Sequence, residues 1–393
     1  MQKILLHIFF SFPFCLMAQW EGPVDSAANN ILLRNRYVQI EATSAMYDMY
    51  NMDFERAARQ YEYLKRQYGW HPLPYFLHGL NYWWRMLPYV DDDRWDEPFI
   101  AYMDTSQLLA ERIYEEVSEI EGAFFLAAAH AFKGRLYSER RDWTKAAFEG
   151  RKALKYLEEC KGHEDFSPEL LFGDGLFNYY AVWVPENYPI LKPVMTFFPE
   201  GDKEKGMEQL EETARNAFYT RTEAQYFLMR ILYFEKGDIA GAYQMAKYLH
   251  DTYPNNAYFH RFYTRLLYQT GRYTKAIEES KLIIQRIDLQ EPGYEYHSGR
   301  YASFFLGHIY EIKGNKKEAE KYYKYAKEYG ELSDATDKGY YIFSVLHLGI
   351  FAEEDERYEE AKEYYQIVKK NTKRKNRSNE RARQGLKNIR RAT

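Results

Sequence analysis

The chain has 393 residues, 54 Lys and Arg against 58 Asp and Glu, and an aromatic fraction of 18% that comes mainly from 39 Tyr. Two cysteines exclude a disulfide-stapled domain, and a formal net charge of −4 opposes nucleic-acid binding, which calls for a basic body. Beyond the first 18 residues no uninterrupted apolar run is long enough to span a bilayer, so no transmembrane segment is expected in the mature chain.

The N-terminus, MQKILLHIFFSFPFCLMA, joins a basic start at Lys3 to a short apolar stretch and ends on the small residue Ala18. That layout is a secretory signal peptide over 1–18, cleaved after Ala18, and it predicts an exported protein in the periplasm or on the cell envelope. Phe14 is bulky where a lipoprotein signal takes a small residue, which argues against lipid attachment at Cys15. Cleavage leaves Cys160 alone, so stability has to come from helix packing.

Residues 19–368 read as helices throughout, with apolar residues at helical spacing as in Ala224, Phe227, Leu228, Ile231 and Leu232. Small residues that open a second helix recur at Ala57, Ala110, Ala146, Gly206, Ala242, Ala276, Ala319 and Ala361, which predicts about eight helix-turn-helix units. Two long intra-repeat insertions interrupt the series, at 85–102 and 184–201, each following a first helix that ends in aromatics. In the first insertion Asp91, Asp92 and Asp93 lack the alternating spacing and turn glycine of a calcium loop, so no metal site is expected there. His163, Glu164 and Asp165 read as a helix-start loop. GDGLFN at 173–178 breaks the dinucleotide-binding pattern, and Gly173 and Gly175 read as close-packing helix residues.

The pattern is sharpest in GRYASFFLGHIYEIKGNKKEAEKYYKYAKE at 299–328. Gly307, Ala319 and Ala326 let two antiparallel helices approach, Leu306, Tyr310 and Tyr323 fill the crossing, and Gly314 sits where the first helix stops. These offsets resemble a tetratricopeptide repeat, and the resemblance implies an all-α, right-handed solenoid. The stretch 173–248 is also similar to the helical-repeat family that includes the mitochondrial inclusion-body clearance proteins. That likeness concerns structural residues and carries no catalytic ones.

The tetratricopeptide resemblance implies work in a groove lined by first helices. Here the lining positions are Phe227, Ile231 and Phe234, then Tyr258, Arg261, Arg265 and Tyr268, then Phe304, His308 and Glu311. Arg261 and Arg265, one turn apart, suit a carboxylate or phosphate, against the plainer alternative that both pair with acidic neighbours on the next unit. The expected partner is a protein or peptide in envelope assembly or maintenance. A second reading is a glycan or small-ligand platform built from Trp83, Trp84, Trp95 and Trp183. Zinc, nucleotide and serine-hydrolase signatures do not occur, so neither enzyme activity nor a cofactor is expected.

The tail 369–393 carries 11 Lys and Arg against Glu380 alone. It reads as a basic capping helix held by Leu386 and Ile389, and peripheral contact with an anionic membrane is its alternative use.

Overall fold

A computed structural model describes residues 31–89, 92–163, 165–189, 192–195 and 198–392. The signal peptide expected at 1–18, with Cys15 and Ala18, lies outside the described residues, as do Asp91 and Glu164. Among the described residues there is no strand, and no helix is long and apolar enough to cross a membrane.

The helices form antiparallel pairs in chain order. The first three pairs are α1 (Arg36–Tyr50) with α2 (Phe54–Tyr68), α3 (Pro72–Met86) with α4 (Asp96–Glu116), and α5 (Glu119–Glu139) with α6 (Trp143–Cys160). α7 (Leu170–Asn187) is followed by the short α8 (Lys192–Met195) before its partner α9 (Lys203–Asn216). Then come α10 (Arg221–Phe234) with α11 (Ile239–Thr252), and α12 (Ala257–Gln269) with α13 (Tyr273–Asp288). The series ends with α14 (Tyr296–Ile312) and α15 (Lys316–Leu332), α16 (Gly339–Glu354) and α17 (Tyr358–Asn371), and a closing α18 (Arg377–Ala392).

The turn inside most pairs follows one recipe. A residue at positive φ ends the first helix and the next residue takes the N-cap of the second: Met52 then Asp53, Arg141 then Asp142, Gly237 then Asp238, Gly314 then Asn315. Each of these caps accepts a backbone N–H from the first turn of its helix, as Asn315 does from Glu318 at 3.2 Å. Gly314, at φ +73°, does this without strain, whereas Glu356, exposed at φ +59° in the last pair, carries a Cβ there. Replacing Glu356 by Gly is expected to stabilise the protein by about 1 kcal/mol, read as a rise in thermal midpoint.

The small residues sit where the pairs cross. Ala57, Ala242, Ala276, Ala319 and Ala361 are fully buried, each three residues after the first residue of its helix. Gly307 shows why: a Cβ there would stand 2.6 Å from Tyr323 Cδ1, and at Gly349 it would stand 2.8 Å from Tyr365 Cε1. Gly175 and Gly206 cross α7 over α9 in the same way, as the sequence suggested, for a Cβ on Gly206 would meet the Gly175 carbonyl at 2.8 Å. One mark is corrected. Ala110 lies deep inside α4, and the equivalent position is Phe99, followed by Met103 packed on Gly79. The segment 85–102 is therefore mostly helix: it ends α3, makes a 3-10 turn at Leu87–Tyr89 and supplies the opening turns of α4.

Much of the Tyr content is structural: Tyr50, Tyr61, Tyr226, Tyr323, Tyr341 and Tyr365 are among the largest fully buried side chains. α18 caps the stack by setting Gly385 against the Tyr365 ring and burying Ala382 and Ile389, with Leu386 half-buried beside them.

The first half of the array closes on the middle. Tyr219 Oη donates to the Leu32 carbonyl at 3.4 Å, Asn256 Nδ2 to the Tyr50 carbonyl at 2.7 Å, and Trp84 Nε1 to Glu223 at 2.7 Å. Trp84 also packs edge-on against Tyr226 and Phe259. First helices of early and late units thus share one core.

Candidate functional site

Closure decides which predicted positions remain available. Ile231 is fully buried and Phe304 nearly so, which removes both from a groove surface, whereas Phe234 is 53% exposed. Trp83 and Trp84 are also buried, Trp84 as the donor to Glu223, so the aromatic platform loses two of its four rings. Trp95 packs on the core under the Arg85 guanidinium, 4.9 Å from its ring, and Trp183 donates to Glu235. The Trp residues do not converge on one surface, and the glycan reading has no geometric basis.

The arginine pair divides. Arg261 Nη1 binds Glu295 at 2.8 Å and Ser298 Oγ at 2.9 Å, so it pairs with an acidic neighbour from the next unit. Arg265 forms no ion pair among the described residues, and its buried Nε lacks a hydrogen-bond partner. Its guanidinium lies 4.7 Å from the centre of the Tyr301 ring, with Tyr233 and Phe262 also close. Arg261 and Arg300 approach the same Tyr301 ring at 5.9 and 5.2 Å.

Arg300 is 1% exposed and forms no ion pair among the described residues; its guanidinium donates to the Ala335 carbonyl at 3.4 Å and to His297 Nδ1 at 3.2 Å. Three guanidiniums thus surround one tyrosine on α12 and α14, and a single carboxylate, Glu295, pairs with one of them. His297 registers the resulting potential: burial first, then Arg261, Arg300 and Arg265, push its imidazole down to about 3. Tyr340 of α16 closes the patch against Tyr301 at 4.8 Å, and Phe343 beyond it is 44% exposed.

A second cluster lies beside it. Tyr268 stacks on Phe305 at 4.4 Å and its hydroxyl meets His308 Nδ1 at 2.8 Å. His347 meets Glu311 at 3.0 Å, and Glu311 also accepts from Tyr323 at 2.5 Å. Tyr258 is engaged with Arg230, whose Nη1 donates to it at 3.2 Å. The structure therefore joins Arg261 and Arg265 to one patch and Tyr268, Phe304 and His308 to another. Arg300, Tyr301, His297 and Tyr340 were not singled out in the sequence. Their signal was the pair Arg300-Tyr301 at the start of the most regular repeat, ahead of the groove positions Phe304, His308 and Glu311.

The remaining candidates are ordinary. Asp92 pairs with Arg94, and Arg140 Nε binds Asp96 at 2.6 Å, which commits two of the carboxylates of the acidic loop. No cluster fit to hold a metal ion occurs among the described residues. Burial pushes the Cys160 thiol up to about 12, so it is a poor nucleophile.

The repeated hairpin, with its small third residue, positive-φ turn and glycine crossings, makes the chain an all-α helical-repeat protein whose hairpins resemble tetratricopeptide repeats. Among solved structures it is similar to the crystal structure of the TPR domain of P58(IPK), with 14% identity over 90% of this chain and 97% of that one and a TM-score of 0.28. No family model and no curated protein matches the chain.

Proposed function

We propose that the protein is an exported, non-catalytic scaffold that holds an acidic segment of a partner protein against the first helices of its last three units. The observation that carries this reading is the uncompensated cation pair at Tyr301. Arg265 is half-buried with no carboxylate partner among the described residues, and the fully buried Arg300 behind it adds positive potential, so a partner carboxylate arriving on Arg265 gains charge-assisted hydrogen bonds. Exposed Phe234 and Phe343 on either side of the patch suit a segment that alternates acidic and apolar residues. Envelope assembly or maintenance is the setting that the leader at 1–18 supports.

The test is anisotropy with a labelled Glu-Phe peptide and its Lys-Phe counterpart. The acidic peptide is expected to bind more tightly, and Arg265→Ala to weaken it about tenfold. Arg261→Ala is expected to have a smaller effect, because Glu295 already holds that charge. Equal binding of both peptides contradicts the reading, and loss of binding on removing 369–393 with Arg265→Ala silent moves the site to the tail. A mature protein from the envelope fraction that does not begin at Gln19 contradicts cleavage after Ala18.

A further inference from the structure

α6 and α7 touch where Leu157 lies against Gly173 and stand apart towards Gly150. In the other pairs the residue four places after the crossing mark is buried: Tyr61, Met103, Leu210, Ala246, Ser280, Tyr323 and Tyr365. In α6 that residue is Gly150, which is not buried, and a Cβ built on it meets nothing within 4 Å. α6 buries only Glu149 and Cys160 along its 18 residues, although Ala153, Leu154 and Leu157 make an apolar stripe. These residues face a cavity of about 370 Å³, walled on its other sides by α3, α5, α7 and α10.

The cavity is long and almost wholly apolar. Along α5 its wall runs Phe124, Ala128, Ala131, Arg135, a stripe of about 16 Å at 1.5 Å per residue. A slot of that length and width suits one extended hydrocarbon chain. Only two lining residues are charged, Arg135 and Glu223. Glu223 is already committed to Trp84 Nε1 and Tyr50 Oη. Arg135 makes no close ion pair among the described residues, although its charge favours the Glu223 carboxylate from a distance; its guanidinium lies 4.5 Å from the Trp83 ring and 5.6 Å from Phe227, at the end of the α5 stripe.

We infer that this cavity binds a single long acyl chain with its anionic head group on Arg135. An apolar slot of this length, with a cation at its end that hydrogen-bonds to no carboxylate among the described residues, is complementary to a fatty acid or to the one chain of a lysophospholipid. Arg135 supplies a planar donor set suited to a carboxylate or a phosphate, and the aromatic rings beneath it fix its position.

The experiment titrates the full chain, stripped of lipid, with palmitate, hexadecanol and lysophosphatidylglycerol, using calorimetry and native mass spectrometry. Palmitate is expected to bind one to one and hexadecanol about tenfold more weakly, a difference that Arg135→Gln abolishes. The lysophospholipid arm distinguishes a membrane source from a free fatty acid. Gly150→Leu fills the slot from a position with open space, so it is expected to fold, to raise the thermal midpoint and to abolish binding. Ala153→Phe, checked by circular dichroism, is the second filling variant. Failure of palmitate to saturate the wild type overturns the inference, as does undiminished binding in both folded filling variants. Equal binding of palmitate and hexadecanol overturns the head-group assignment. Binding that appears only after removal of residues 1–30 gives the cavity to the chain's own N-terminus and overturns it too.

Discussion

Glu169→Ala is expected to cost about 3 to 5 kcal/mol of stability, a large share of the ~5–15 kcal/mol typical of a folded protein. The side chain is fully buried just before α7, and its carboxylate accepts from the backbone N–H groups of Phe218, Tyr219 and Thr220 at 2.6, 3.1 and 2.9 Å. Thr220 Oγ1 donates to it as well, at 2.6 Å. Thr220 is the N-cap of α10 but makes no capping bond to its own helix. Glu169 therefore caps α10 from the preceding pair, with its negative charge at the helix end that favours it. Alanine strands these donors, three of them backbone amides with no alternative acceptor among the described residues. The urea midpoint should fall and amide exchange should speed up through the first turn of α10, while Glu169→Gln, which keeps one acceptor oxygen, should recover part of the loss. A change below about 1 kcal/mol would show that the cap is not needed.

Stability is expected to fall steeply between pH 6.5 and 4, with the sign set by buried neutral histidines. Burial, then Lys65, holds His78 down to about 4 against the pull of Glu62; burial, then His260, holds His250 at about 4; burial and three arginines hold His297 at about 3. The unfolded chain takes up protons on these groups near pH 6.5 and the folded chain does not until lower pH, so the unfolded state binds more protons in that window. Each such group contributes roughly 3 kcal/mol that is present above pH 6.5 and lost on acidification. Glu279 does not produce this loss. Burial raises its pKa, but hydrogen bonds from His260 and Lys275 prevail and hold it at about 2, so its contribution disappears only near that pH. Glu223, raised by burial, acts in the opposite sense, while His130, His260 and His308, also lowered by burial, add to the fall. Urea midpoints from pH 7.5 to 4.5 should trace the fall, and His297→Gln should flatten part of it. A profile level across that range would contradict the assignment.

Local chemistry made the repeat legible. The third-position Ala, the Gly crossings and Gly314 follow from close approach and positive φ, requirements met within one pair of helices, so a single sequence exposes them. The mark at Ala110 failed because α4 is longer at its start and fills the crossing with Phe99 and Met103 instead of a small residue. The Trp platform failed because exposure is not local: Trp84 meets Tyr226, Phe259 and Glu223, far along the chain, once the array closes.

The candidate site shows the same division at the scale of two residues. Arg261 and Arg265 are indistinguishable by spacing, and only the placement of Glu295 pairs the first and leaves the second free. Gly150 was visible as a glycine, but its meaning depends on α7 standing away from α6.

The sequence by itself determined the all-α repeat, the count of pairs, their turns and the capping helix, because each is written in residues that touch within a unit or its neighbour. Tertiary structure alone decided which aromatics are buried, which arginine lacks a carboxylate, that Glu169 caps a distant helix and that one interface is hollow. Those properties depend on how far each pair is rotated against the next, a sum of small packing angles that no local pattern encodes.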